Sequence, residues 1–135
     1  MFILPNVFEG GSRPLCELEL CLLRLSHDPA NPWLLLIPKR PQITEICQLS
    51  EADQGLLVKE ISFASNLLLK EFAPDKINVG ALGNMVPTLH VHVIARYRND
   101  RAWPGPIWGT QVPPNPAELD QIERRLKKLL AEIIK

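Results

Sequence analysis

The sequence predicts an α+β fold: a mostly antiparallel sheet of about five strands, one long helix and a C-terminal helix. Three observations carry this. Two β-type runs, 17–25 and 33–37, flank the turn cluster His27-Asp28-Pro29-Ala30-Asn31-Pro32. Two longer stretches, 51–72 and 117–135, repeat apolar residues at helical spacing. Between them, Thr88-Leu89-His90-Val91-His92-Val93 alternates as a half-buried strand does. At 135 residues the chain is expected to form one domain, 1–135.

Taken in order, residues 1–14 hold Pro5, Gly10, Gly11 and Pro14 and read as an irregular arm with at most a short edge strand. Glu17–Leu25 alternates polar and apolar residues and reads as one strand. Trp33–Ile37 is an aliphatic run stopped by Pro38, a strand buried on both faces. The segment 43–49 reads as a loop or single helical turn. Ser50 is a helix N-cap with Asp53 three residues on. The helix runs Glu51–Phe72, with a core stripe at 56, 57, 61, 64, 67, 68, 69 and 72, and ends before Pro74. Lys76–Gly80 is a short strand, 80–87 a loop, and Leu89–Tyr97 the central strand. Residues 98–114 hold four prolines with Trp103 and Trp108 and form a loop. Asn115 caps a last helix that has Pro116 in its first position.

Composition excludes several classes. Lys plus Arg equals Asp plus Glu, 15 each, so the overall charge gives no electrostatic case for a nucleic-acid polymer or an anionic membrane surface as partner. A small anionic ligand needs only a local cluster of donors. No stretch approaches the ~20 apolar residues of a membrane span. The apolar start Met1-Phe2-Ile3-Leu4 lacks a basic flank and is broken by Pro5. Cys16, Cys21 and Cys47 are odd in number and without paired spacing, which fits a reducing compartment. A cytoplasmic protein is expected.

The chemistry concentrates in 78–96. On a strand, Thr88, His90 and His92 share one face at roughly 6.5–7 Å intervals, while Leu89, Val91 and Val93 enter the core. Both histidines reach one phosphate or one metal ion. A metal would need a third ligand, and the remaining histidine, His27, is distant in sequence. A phosphate site with a histidine nucleophile needs three parts. His90 supplies a neutral imidazole. A backbone carbonyl of a neighbouring loop, near Gly80–Gly83, holds its far nitrogen. His92, the Asn84 amide and loop N–H groups meet the phosphate oxygens. Trp103 and Trp108 either pack the late loop or border the site. Arg96 reads as a structural ion pair or a surface residue rather than a catalytic group, and Lys39 and Arg40 as a solvated turn or as groups that steer an anion.

Asn78 to Arg96 resembles the signature of the histidine-triad (HIT) family of nucleotide hydrolases and transferases, His-x-His-x-His followed by apolar residues and often an arginine. Leu34–Arg40 (LLLIPKR) resembles the family's second strand and its turn, and Leu49-Ser50-x-x-Asp53 a helix start. The resemblance spans about residues 17–109, with the C-terminal helix at about 116–135, and points to a diverged, bacterial-type member similar to dinucleoside polyphosphate hydrolases. It implies a HIT-like fold and cleavage at the α-phosphate of a dinucleoside polyphosphate, such as diadenosine tetraphosphate, or of a nucleoside phosphoramidate. His90 would form the nucleotidyl-histidine intermediate and His92 would bind the phosphate. Asn78, Gly83, Asn84, Met85 and His27 would contact substrate, and apolar positions around Leu20–Leu25 and Ile37 would wall a nucleoside pocket. The resemblance also implies a homodimer and no required cofactor, with a divalent cation accompanying a polyphosphate. The chain departs from the pattern in three places. Thr88 stands where the first triad histidine belongs, Pro41 where many members have histidine, and Met85 lacks a hydroxyl. Threonine does not act as a general acid near neutral pH, so the alternative is a nucleotide-binding HIT protein with weak or no catalysis.

Overall fold

The computed structural model describes residues 1–133; the last two positions of the expected C-terminal helix, 134 and 135, lie outside them. The element order is α1 (Asn6–Gly11), β1 (Ser12–Glu17), β2 (Cys21–Ser26), β3 (Trp33–Pro38), α2 (Glu51–Phe72), β4 (Lys76–Gly80), β5 (Val91–Arg96) and α3 (Pro116–Ile133), with a single 3-10 turn at Ile46–Gln48. Five strands form one sheet in the order β1-β2-β3-β5-β4, and every neighbouring pair is antiparallel. This is the α+β architecture expected.

Local signals explain the helices. The Ser50 hydroxyl accepts from the Asp53 N–H at 3.1 Å and starts α2. Ala73, in the left-handed region at φ 45°, ends it ahead of Pro74. The Asn115 side chain accepts from the Glu118 N–H at 3.2 Å, and Pro116 opens α3.

The two faces of the sheet differ. On one, Leu23, Leu25, Leu34, Leu36, Val91, Val93 and Ala95 pack with Leu57, Ala64, Leu67 and Leu68 of α2 and Leu119, Ile122, Leu126, Leu129 and Leu130 of α3. Each such leucine contributes about 1.5–3 kcal/mol over its exposed state. Leu69, expected in the α2 stripe, is about half exposed. On the other face Phe8 packs with Leu35 and Ile37, joined by Phe2, Leu4, Leu22 and Trp33.

Two expectations need correction. Residues 17–25 are not one strand. β1 ends at Glu17 and β2 begins at Cys21, because Glu60 of α2 is buried under the turn and accepts the N–H groups of Leu20 and Cys21, both at 2.9 Å. A buried carboxylate is tolerated here because it is hydrogen-bonded. The irregular arm is instead a short helix followed by a full edge strand. Buried Arg24 ties the two together, bonding the Ser12 hydroxyl at 2.7 Å, the Ser12 carbonyl at 3.0 Å and the Phe8 carbonyl at 3.3 Å.

Candidate active site

His90 sits one residue before β5, with 8% of its surface exposed. Its Nδ1 lies 2.7 Å from the backbone carbonyl of Thr88. A carbonyl only accepts, so Nδ1 carries a proton, and in the neutral ring Nε2 keeps its lone pair. The tautomer-fixing group is therefore the carbonyl two residues upstream, not one in the Gly80–Gly83 loop. The contact is local: the chain bends at Thr88, ahead of β5, and the carbonyl there meets the His90 ring. Thr88 contributes its main chain, which any residue supplies. The Phe8 ring stands edge-on to His90 at 4.9 Å, and the His92 ring lies 5.0 Å away.

His92 has the opposite polarity. The Trp33 indole N–H donates to His92 Nδ1 at 2.9 Å. Nδ1 is thus the acceptor, and Nε2 carries the proton. Burial, with His90 as a lesser cause, pushes the His92 pKa down to about 4, so the ring is neutral near pH 7. Trp33 and Trp108 flank it edge-on at 5.6 and 5.5 Å, and lie 6.1 Å from each other. The two imidazoles, with ring centroids 5.0 Å apart, thus carry one bare nitrogen and one N–H donor. A tetrahedral phosphate meets both needs: phosphorus accepts a lone pair, and its oxygens accept a hydrogen bond.

Trp108 reaches this place because Gly80, opposite His92 in the β4–β5 register, has no side chain. A Cβ there would stand 2.8 Å from the Trp108 ring. Gly80→Ala is expected to displace Trp108 and cost about 1–3 kcal/mol, seen as a lower denaturation midpoint and altered tryptophan fluorescence.

The loop carrying Trp108 is anchored by Arg96 and Asp100. Arg96 is 1% exposed. It bonds both Asp100 oxygens at 2.8 and 3.1 Å, the Asn78 side-chain oxygen at 2.7 Å and the Gly105 carbonyl at 2.8 Å. Asp100 also accepts the N–H groups of Tyr97, Ala102 and Trp103 and the Asn31 amide. The Arg96 guanidinium, against the opposing cost of burial, holds the Asp100 carboxyl well below the usual carboxylate range. Arg101 adds an ion pair to Asp28 at 2.7 Å.

The other sequence candidates fall as follows. Thr88, His90 and His92 come together. Asn78 lies on β4 with its side-chain oxygen engaged by Arg96. Gly83 has φ +66°, a left-handed turn in the loop leading to Thr88. Asn84 is exposed and Met85 is 95% exposed. His27 is exposed on the β2–β3 turn, past the end of β2 where Leu25 pairs with Leu34. His90 lies off the other end of the sheet, beyond the Leu36–Val91 pair. The structure does not bring these two histidines together. Of the expected nucleoside wall, Leu20, Cys21, Leu23 and Leu25 lie in the core under the helices, and only Leu22 and Ile37 share the histidine face. Lys39 and Arg40 are engaged by Glu17 and Asp53. A cleft of about 540 Å³, lined by Phe2, Arg40, Gln42, Ile43, Thr44 and Thr88 among others, opens on the Thr88 side. Among the described residues no three His, Cys, Asp or Glu side chains gather as a metal site, and no helix is long and apolar enough to cross a membrane.

Sequence reading missed Phe8 and the role of Trp33. The one signal for Trp33 was an indole at the head of an otherwise aliphatic strand.

The HIT domain family model matches residues 8–99. A histidine triad protein from Marinobacter aquaeolei VT8 has a similar structure, with TM-score 0.90 at 40% identity over 98% of each chain. Another, from Sinorhizobium meliloti 1021, gives 0.87 at 40% identity, covering 94% of this chain and 96% of that one. A third, from Bradyrhizobium japonicum, gives 0.87 at 38% identity over the same shares. No curated protein matches the sequence.

Proposed function

The chain belongs to the histidine-triad (HIT) family, and on that premise we propose that it is a nucleotide-binding protein that grips its ligand by a phosphate at His90 and His92. One observation carries this reading: the adjacent imidazoles have opposite polarity, set by the Thr88 carbonyl and the Trp33 indole. Gly83 and Asn84, on the loop before Thr88, offer further donors.

The reading extends to chemistry. His90 Nε2 attacks the α-phosphorus and forms a P–N bond. The bond to the leaving group breaks, and the leaving group departs with the electron pair. Water then attacks the nucleotidyl-histidine and gives up a proton to solvent, the P–N bond breaks with its electron pair returning to His90 Nε2, and the nucleoside monophosphate leaves. His92 donates to the phosphate oxygens as charge builds there. Dinucleoside polyphosphates and nucleoside phosphoramidates are the substrate classes. The Thr88 hydroxyl supplies no acid at neutral pH, so substrates with good leaving groups turn over best.

A second reading, binding with little or no turnover, is favoured by the same Thr88. Acid-quench trapping of a radiolabelled nucleotidyl adduct, beside calorimetric titration with adenosine monophosphate, separates the two. An adduct with turnover supports the enzyme; binding with neither supports the second reading; absence of all three overturns both. Thr88→His is expected to raise hydrolysis of poor-leaving-group substrates about tenfold or more, within the range of general acid catalysis. No gain would mean that Thr88 does not limit the reaction.

A further inference from the structure

The second histidine owes its donor role to a residue from another strand. β3 and β5 pair with Trp33 opposite Ile94 and Leu35 opposite His92, which sets the Trp33 side chain diagonally beside His92 on the same face. The Trp33 N–H meets His92 Nδ1 at 2.9 Å, and the rings are close to perpendicular at 72°. Trp108 holds His92 from a further side at an interplanar angle of 85°, over the space that Gly80 leaves.

We propose that Trp33 is a positioning residue that fixes His92 in its Nε2–H tautomer and keeps it a neutral hydrogen-bond donor to the bound phosphate. This rests on the phosphate-binding reading above for its functional meaning, but the tautomer itself is a property of the ligand-free protein.

The physical case follows from the inventory of the indole. Tryptophan has one N–H and no acceptor, and it does not titrate. A histidine, serine or water at the same place would accept as well as donate, and would let Nδ1 take up a proton. With Trp33 in place, Nδ1 faces a donor, and protonating it would set two N–H groups against each other. The groups beside His92 include Trp33 and Leu35 from β3, Gly80 from β4, Trp108 from the late loop and His90 on its own chain segment. Of these His90 alone is ionisable, and a charge on either imidazole disfavours a charge on the other. His92 therefore carries no lone pair on the nitrogen that faces the ligand. It cannot compete with His90 as nucleophile, and its donor strength stays constant with pH.

Nitrogen-resolved NMR of the isotope-labelled, ligand-free protein tests this directly. Wild-type His92 is expected to show a single Nε2–H tautomer from about pH 5 to 8. In Trp33→Phe, His92 should show mixed tautomers and a titration midpoint shifted upward, while His90 keeps its Nδ1–H tautomer on Thr88. Affinity for adenosine monophosphate should fall about tenfold and become pH-dependent, the loss of one well-placed donor. An unchanged His92 tautomer and titration in Trp33→Phe overturns the proposal. If Trp33→Phe does not fold, benzothienylalanine at position 33 keeps the ring volume without the N–H, and the same spectra decide. A wild-type protein that binds no nucleotide overturns the proposed function instead, and the ligand-free spectra still judge Trp33.

Discussion

His90→Ala is expected to lower nucleotide turnover by about a thousandfold or more and to abolish the trapped adduct, while affinity for a mononucleotide changes by about tenfold or less. The asymmetry follows from the site. In its neutral form His90 has a bare Nε2, because its Nδ1 proton is held by the Thr88 carbonyl. His92 cannot replace it, since its Nδ1 accepts from Trp33 and its Nε2 is protonated. Binding persists because the His92 donor and the loop N–H groups before Thr88 are untouched. Steady-state kinetics, adduct trapping and calorimetry on one preparation measure all three quantities. Substantial turnover in the variant would place the nucleophile elsewhere.

Asp100→Ala is expected to destabilise the fold by about 3–5 kcal/mol, the usual loss when one partner of a buried ion pair is removed. Arg96 would keep the Asn78 and Gly105 oxygens but lose both bonds to its counter-charge, with only 1% of its surface exposed. Three backbone N–H groups and the Asn31 amide would lose their acceptor as well. The loop that carries Trp108 would loosen, so fluorescence should change together with the denaturation midpoint. The pH dependence has a definite sign. The Asp100 carboxyl is held below its ordinary value, chiefly by Arg96. Its contribution is complete above about pH 4, where the unfolded group is ionised too, and is lost as pH falls toward the folded value. Urea denaturation of wild type and Asp100→Asn should therefore differ most near neutrality and converge in acid. A constant difference between pH 7 and about pH 3 would contradict the linkage.

Some of this molecule could be read residue by residue. The bounds of α2 follow from Ser50, Asp53 and Pro74, and those of β4 from a short β-type run before a glycine-rich loop. The alternation from Thr88 to Val93 placed His90 and His92 on one face with Leu89, Val91 and Val93 in the core, and that is how they stand. Of the two readings of Arg96, a structural ion pair or a surface residue, the buried pair with Asp100 decides for the first. Trp108, for which packing and a place at the site stood as alternatives, does both: it fills the space over Gly80 and flanks His92.

Other features were not legible, because they depend on partners far away in the chain. Nothing near Glu17 announces that the strand breaks after it; the acceptor that stabilises the break is Glu60, some forty residues on. His27 looked available to the site until sheet order put it past the opposite end. Caps, turns and alternation are short-range, so the sequence by itself determined the extents of α2 and β4 and which face carries the histidines, but not the helix and edge strand of the N-terminal arm. Which nitrogen of each imidazole bears the proton is decided by what stands across from it. For His90 that is a carbonyl of its own chain segment; for His92 it is an indole on the neighbouring strand. The second was settled only when β3 paired with β5, because a tautomer is fixed by a hydrogen bond between residues that only the tertiary fold brings within 2.9 Å.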